Sequence, residues 1–245
     1  LYDLAGKQLS ETSDYINKIQ NNQNKILKDM AALGVRCKTI YAQLVSPFIT
    51  GLGSGHPTET GMILDRNTGV PYLPASSIKG VLRLAYAVNK ADGQTSVDSS
   101  VVARYFGNDS SADKDKRGEI VFLDAYPNAV PELKCDIMNP HYSKYYNGKK
   151  TENPLPEETD APLPKKFIAV KEGVCFVFRY FFLPVQGNTF DDTDADEIEK
   201  AFATAFTVIG FGGKTTIGYG RFKVQDKEKA ELAAERKASE QKSNA

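Results

Sequence analysis

Tryptophan is absent from this 245-residue chain, and histidine, cysteine and methionine are scarce: two, three and three. Cys37, Cys135 and Cys175 lie far apart, form no CxxC pair and are odd in number, so the sequence carries no disulfide framework. A reducing cytoplasm is the expected setting. His56 and His141 are isolated from each other and from the cysteines, which leaves no metal-ligand spacing and no metal or cofactor expected. A G-x-S-x-G nucleophile element is also missing. The longest apolar run, residues 174–185, is broken by Arg179 and is too short to span a bilayer. The N-terminal stretch is polar, with no signal-peptide apolar region, so no membrane partner is expected. An excess of one charge is lacking as well: 31 basic residues balance 31 acidic ones. A free-standing nucleic-acid binder usually carries a basic surplus, because phosphate neutralisation dominates its affinity. Neutrality therefore argues against a free-standing binder, and is compatible with a subunit whose basic stripe is local and whose other faces meet protein.

What is present supports a folded domain: 41% hydrophobic residues and ordinary charge content. Residues 3–33 lack proline and carry Leu4, Leu9, Ile16, Ile19, Ile26, Leu27, Met30 and Leu33 at helical spacing, with Gly34 as a stop. Either one helix is predicted there, or two with a break near the Asn-rich 20–24. Residues 36–46 read as a first strand. Ser76 is placed to cap a helix over 77–89, and 101–106 is a short helical piece. Residues 119–126 read as one buried strand, 132–138 as a further candidate, and 166–184 as one or two more. A helix is predicted over 194–209, then a glycine-rich turn over 210–220 and a last strand over 221–224. Segment 140–165 holds five of the twelve prolines and too little apolar periodicity for a core; it is an insertion. Beyond Asp226 the chain is a charged tail, helical or frayed. The order strand, helix, strands, helix, strand is the β-α-β-β-α-β plan of an α+β, ferredoxin-like domain.

Two motifs carry chemistry. In Pro74-Ala75-Ser76-Ser77-Ile78-Lys79-Gly80-Val81-Leu82-Arg83 a helix begins with free backbone N–H groups and a favourable dipole for anions. Ser76 and Ser77 add hydroxyls, and Lys79 and Arg83 sit four residues apart along one face. A phosphate backbone suits that row; a plain capped helix with two solvated cations suits it equally. The second motif is Gly210-Phe211-Gly212-Gly213-Lys214-Thr215-Thr216-Ile217-Gly218-Tyr219-Gly220-Arg221. Its glycines allow close backbone approach. Lys214 and Arg221 can meet phosphates, and Phe211 and Tyr219 can stack on bases. It is not a Walker A loop: Val208 stands where the first glycine belongs, and the loop follows a helix rather than a strand. A glycine-rich hairpin that merely folds tightly is the competing reading. His56, in the loop Gly51-Leu52-Gly53-Ser54-Gly55-His56, is a contact residue, or a general acid–base group with Glu59 or Asp65 as partner. Lys144-Tyr145-Tyr146-Asn147-Gly148-Lys149-Lys150 is either a basic, aromatic protrusion or a solvated loop.

Taken together, Tyr72-Leu73-Pro74-Ala75-Ser76-Ser77-Ile78-Lys79-Gly80 and the 209–220 glycine motif resemble the RAMP superfamily of CRISPR proteins, in its Cmr-type branch. The resemblance runs over about residues 36–225, giving one domain flanked by an N-terminal helical segment (1–35) and a tail (226–245). It implies an RRM-related fold and a non-catalytic subunit of a type III-B effector complex. The implied partners are CRISPR guide RNA, target RNA and other Cmr-type RAMP subunits. Carried over, Ser76, Ser77, Lys79 and Arg83 contact phosphates, with His56, Lys214 and Arg221 beside them and Gly212 and Gly213 admitting the RNA. The family's cleaving subunit uses an aspartate in the loop after the first strand. Asp65 lies nearer the helix than that carboxylate, so catalysis is not transferred to it. An endoribonuclease built on His56 and Asp65 stays open as the alternative.

Overall fold

The computed structural model describes residues 12–53, 61–91, 99–108, 117–139, 164–185 and 188–243. In chain order the elements are α1 (Ser13–Ala32), β1 (Cys37–Leu44), α2 (Ala75–Ala91), α3 (Ser99–Phe106), β2 (Ile120–Phe122), β3 (Tyr126–Pro127) and β4 (Leu133–Met138). There follow β5 (Lys165–Val170), β6 (Cys175–Phe182), α4 (Asp192–Thr204), β7 (Phe222–Gln225) and α5 (Lys227–Ser243). The main sheet runs β2–β6–β1–β7, antiparallel throughout, with β3 also on β6. Helix α2 follows β1 and α4 follows β6, and the two pack together. This is the ferredoxin-like plan expected from the sequence. Strands β4 and β5 form a separate two-stranded ladder between β3 and β6.

β6 explains why the core forms where it does. Its sequence, Cys-Phe-Val-Phe-Arg-Tyr-Phe-Phe, is buried at every position. Alternation along a strand sends Phe176, Phe178, Tyr180 and Phe182 to the face under α2 and α4. There Phe178 meets Phe202, Phe206, Phe211 and Phe222 at centroid distances of 5.0 to 6.0 Å, edge-on or tilted. Such pairs add about 0.5–1.5 kcal/mol each beyond the area they bury. Val177, Arg179 and Phe181 face the other way, and α1 lies across them, touching β1, β3 and β6. Helix α5 also reaches β1, and its own Ala230 is buried there.

Three local readings change, and the choice between one N-terminal helix and two falls to one. α1 runs unbroken through Gln20–Asn24, because those side chains are spent on tertiary bonds. Gln20 Nε2 donates to the Pro127 carbonyl at 2.9 Å, and Gln23 Nε2 to that of Asp124 at 2.8 Å. The predicted strand 119–126 splits in two. Ala125 exchanges both backbone bonds with Leu73 at 2.9 Å, and Asp124 turns its carboxylate to α2. The second change is at α4. Asp191 and Asp194 close a capping box at its start, and the helix widens into a π turn over Ala205–Ile209, where Gly210 N donates to Ala205 O at 2.8 Å. Last, α2 begins at Ala75, so Ser76 lies inside its first turn rather than capping it.

Candidate functional site

The start of α2 is capped from a distance. Ala75 N donates to Asp124 Oδ1 at 2.6 Å, and Ile78 N makes the first helical bond to Pro74 O at 3.0 Å. Sequence reading missed Asp124, because its partner is 49 residues away. Its carboxylate already answers the helix dipole at the axis end. What remains for a further anion is the side of the helix. Ile78, Leu82, Ala85 and Tyr86 are buried, while Ser76 and Ser77 are exposed and Lys79 and Arg83 half-buried. At 100° per residue Ser76, Lys79 and Arg83 share one stripe, with Gly80 between them; Ser77 falls on the neighbouring stripe with Leu84 and Val88. The motif therefore presents a hydroxyl and two cations in a line.

The glycine-rich loop folds against the chain leaving β1. Gly213 N donates to Ile49 O and Gly220 N to Pro47 O, both at 2.7 Å, while Phe211 N donates to Gly220 O at 2.9 Å. Gly212 and Gly220 have φ of +83° and +68°. A Cβ at Gly212 would collide with the Ile49 carbonyl, and one at Gly220 with that of Phe211. The close approach that these two glycines permit is thus made by the protein's own backbone. Gly213, with ordinary contacts at 3.6 Å and beyond, is not so constrained.

Two aromatic expectations are corrected. Phe211 is fully buried among Phe178, Phe206 and Phe222, so it has no face to offer a base. Tyr219 leans on Phe167 of β5 at 6.3 Å, and its hydroxyl donates to Asp136 of β4. Arg221 also turns inward: Nη2 donates to Thr215 O at 3.2 Å, and Nη1 is buried with no partner among the described residues. Lys214 keeps a partly exposed ammonium above the Phe167 ring, at 5.0 Å, on a backbone of φ +59°. The hydrogen bond from Tyr219 holds the Asp136 carboxyl below its ordinary range, helped by Lys134 and Lys214. Burial, and then that same bond, push the Tyr219 hydroxyl up to about 12. The structure therefore joins Lys214 and Tyr219 to the β4–β5 ladder, while the α2 row is braced by the β2–β3 connection.

Of the acid–base candidates, His56 and Glu59 lie outside the described residues, as do His141 and the 144–150 segment. Asp65 is described and is fully occupied. Its Oδ1 accepts from Asn67 N, Thr68 N and Thr68 Oγ1 at 2.9 to 3.0 Å, and its Oδ2 from Tyr126 Oη at 3.0 Å. Burial raises its pKa, but those bonds outweigh burial and leave it lowered. It shapes the turn before Val70 rather than facing a substrate.

A family profile described as the RAMP superfamily matches residues 41–223. The CRISPR system Cmr subunit Cmr6 of Pyrococcus furiosus is 32% identical over 229 residues, covering 72% of this chain and 64% of that protein. The chain thus spans just under two thirds of that relative. The CRISPR system Cms endoribonuclease Csm3 of Streptococcus thermophilus is 28% identical over 172 residues, covering 66% of this chain and 73% of that one. A chain in the cryo-EM structure of the Type III-B Cmr-beta bound to cognate target RNA has a TM-score of 0.60 and 22% identity, over 85% of this chain and 65% of its own length. That last likeness is one of fold.

Proposed function

The chain belongs to the RAMP superfamily, and from that premise we propose that it is a non-catalytic RNA-binding subunit of a type III-B CRISPR effector complex. Its place is that of the sixth Cmr-type subunit, holding guide RNA or the guide–target duplex near the guide 3′ end in antiviral defence. Its partners are the RNA and other Cmr-type RAMP subunits, in the cytoplasm. Among the described residues no helix is long and apolar enough to cross a membrane. One observation carries the reading: Ser76, Lys79 and Arg83 line a stripe on the outer side of α2, within the span matched by the family. A row of that kind reads backbone and shape, and base pairing between guide and target reads sequence. The neutral net charge fits a subunit whose remaining surface meets protein.

The test is fluorescence anisotropy of the purified chain with a labelled single-stranded RNA, across a salt series. Lys79→Ala and Arg83→Ala should each weaken binding and flatten the salt slope by roughly 0.7 per lost phosphate contact. Unchanged affinity and slope in both variants would remove the α2 row from the interface. The likeness to an endoribonuclease keeps a second reading in view. It requires RNA cleavage by the purified chain that His56→Ala or Asp65→Ala abolishes. The four hydrogen bonds on Asp65 argue against that carboxylate as a catalyst.

A further inference from the structure

The inner strands of the sheet are β1 and β6. In RRM-type sheets the face of the central strands carries aromatics on which bases of single-stranded RNA stack. The corresponding face here bears Tyr41 on β1 and Val177, Arg179 and Phe181 on β6, with Thr39 paired to Arg179 and Tyr41 to Val177. Helix α1 lies across the part that holds Arg179, and α5 reaches β1 beside Tyr41, where Lys227 and Glu231 are neighbours.

The way α1 is held is unusual for a packed helix. Only Ile16 and Leu27 among its apolar side chains are buried. Ile19 adds a partly buried apolar contact to the cluster of Val70, Tyr126 and Val130, and over β6 the hold is polar. Asn24 Oδ1 accepts from Arg179 Nε at 3.1 Å and from Nη2 at 2.9 Å, and Gln23 Oε1 accepts from Nη1 at 2.8 Å. Arg179 is 2% exposed, and its hydrogen bonds run to neutral amide oxygens. A buried charge normally takes an opposite charge as its partner. Burial accordingly lowers the Arg179 pKa to about 10. Beside it, Gln20 Oε1 is buried with no hydrogen-bond partner among the described residues. The two amides thus present to Arg179 a fork of oxygens of the kind a phosphate supplies with full negative charge.

We propose that the α1-covered face of the sheet is a second, concealed binding face for single-stranded RNA, and that α1 is the strap that closes it. When α1 lifts, a phosphate takes the place of the Asn24 and Gln23 oxygens on Arg179, and a base stacks on Phe181, whose strand partner Cys37 lies against the Leu27 turn of α1. The inference extends the RNA-binding reading to the opposite side of the sheet from α2, and the experiment separates the two.

Asn24 is half-buried and admits changes in both directions. Asn24→Ala loosens the strap; Asn24→Asp tightens it by giving Arg179 a bidentate carboxylate. Both are made in the full chain carrying Lys79→Ala and Arg83→Ala, and titrated with labelled oligouridine while amide hydrogen exchange is followed in α1. The expected result is about a tenfold gain in affinity for the loosened chain. The tightened chain binds more weakly, exchange in α1 speeds up when RNA is added, and Arg179→Leu erases the gain. Exchange that rises in the Asn24→Ala chain without any gain in RNA affinity overturns the proposal. So does unchanged binding in the Asn24→Asp chain, which needs no weakened fold. Strap variants that shift affinity while the α2 substitutions alone do nothing would sink the α2 reading and leave this one standing.

Discussion

Gly220→Ala is expected to destabilise the fold far more than Gly218→Ala, although the two glycines stand two residues apart in the same loop. Both have positive φ, +68° and +94°. An alanine there costs about 1–2 kcal/mol for the left-handed backbone alone. At Gly218 the added methyl meets nothing within 4 Å. At Gly220 it runs into the Phe211 peptide, whose C and N would lie 2.9 and 3.0 Å away, and the carbonyl oxygen is closer still. All of these are backbone atoms tied down by Phe211 N→Gly220 O and Gly220 N→Pro47 O. Overpacking adds about 1–3 kcal/mol, for a total near 4 kcal/mol. Urea denaturation reads the difference. With a slope of about 2 kcal/mol/M, the midpoint should fall by roughly 2 M for Gly220→Ala and by under about 1 M for Gly218→Ala. Equal midpoints would refute the claim that the loop's glycines serve contact between protein backbones.

Further expectations rest on other parts of the molecule. Arg104→Ala leaves Glu119, which is 2% exposed, and the Asp194 carboxylate without their shared guanidinium; a loss near 3 kcal/mol by denaturation is expected, and under 1 kcal/mol would contradict it. Tyr219→Phe removes the bond to Asp136 and should cost about 1 kcal/mol, both groups being partly solvated. Asp136 is held below its unfolded value, so its contribution is present above about pH 4 and is lost as pH falls. Tyr219 is held above its own, so its share is present below about pH 10 and is lost as pH rises through about 12. Tyr219→Phe should flatten both arms of the stability–pH curve, and an unchanged acid arm would count against the pairing.

The β-α-β-β-α-β order was legible because each element carries its own period: the apolar face of α2, the aromatic run of β6, the acidic start of α4. The separate β4–β5 ladder was legible only as two strand candidates, since its pairing with itself rather than with the main sheet depends on contacts that residues distant in sequence make. The α2 row was equally legible, because Ser76, Lys79 and Arg83 recur at helical spacing. What sequence could not supply was orientation. Nothing local in Gly-Tyr-Gly-Arg says that Arg221 folds back on Thr215 or that Tyr219 reaches Asp136 on another strand. Phe211 reads as an exposed loop aromatic until Phe178 and Phe222 are seen around it. Gln20–Asn24 leaves a helix break open until Arg179 is placed beneath it. The one signal that pointed there was Arg179 itself, the only charge in an otherwise apolar strand.

The central claim is that this chain works on RNA inside a CRISPR effector complex. The most direct measurement is an affinity pull-down of the tagged protein from its native host, with sequencing of the bound RNA and identification of the bound proteins. Short RNAs sharing a repeat-derived 5′ end, together with other RAMP subunits, are the predicted result. Recovery without RNA, or with mixed cellular RNA and none of those partners, would contradict it.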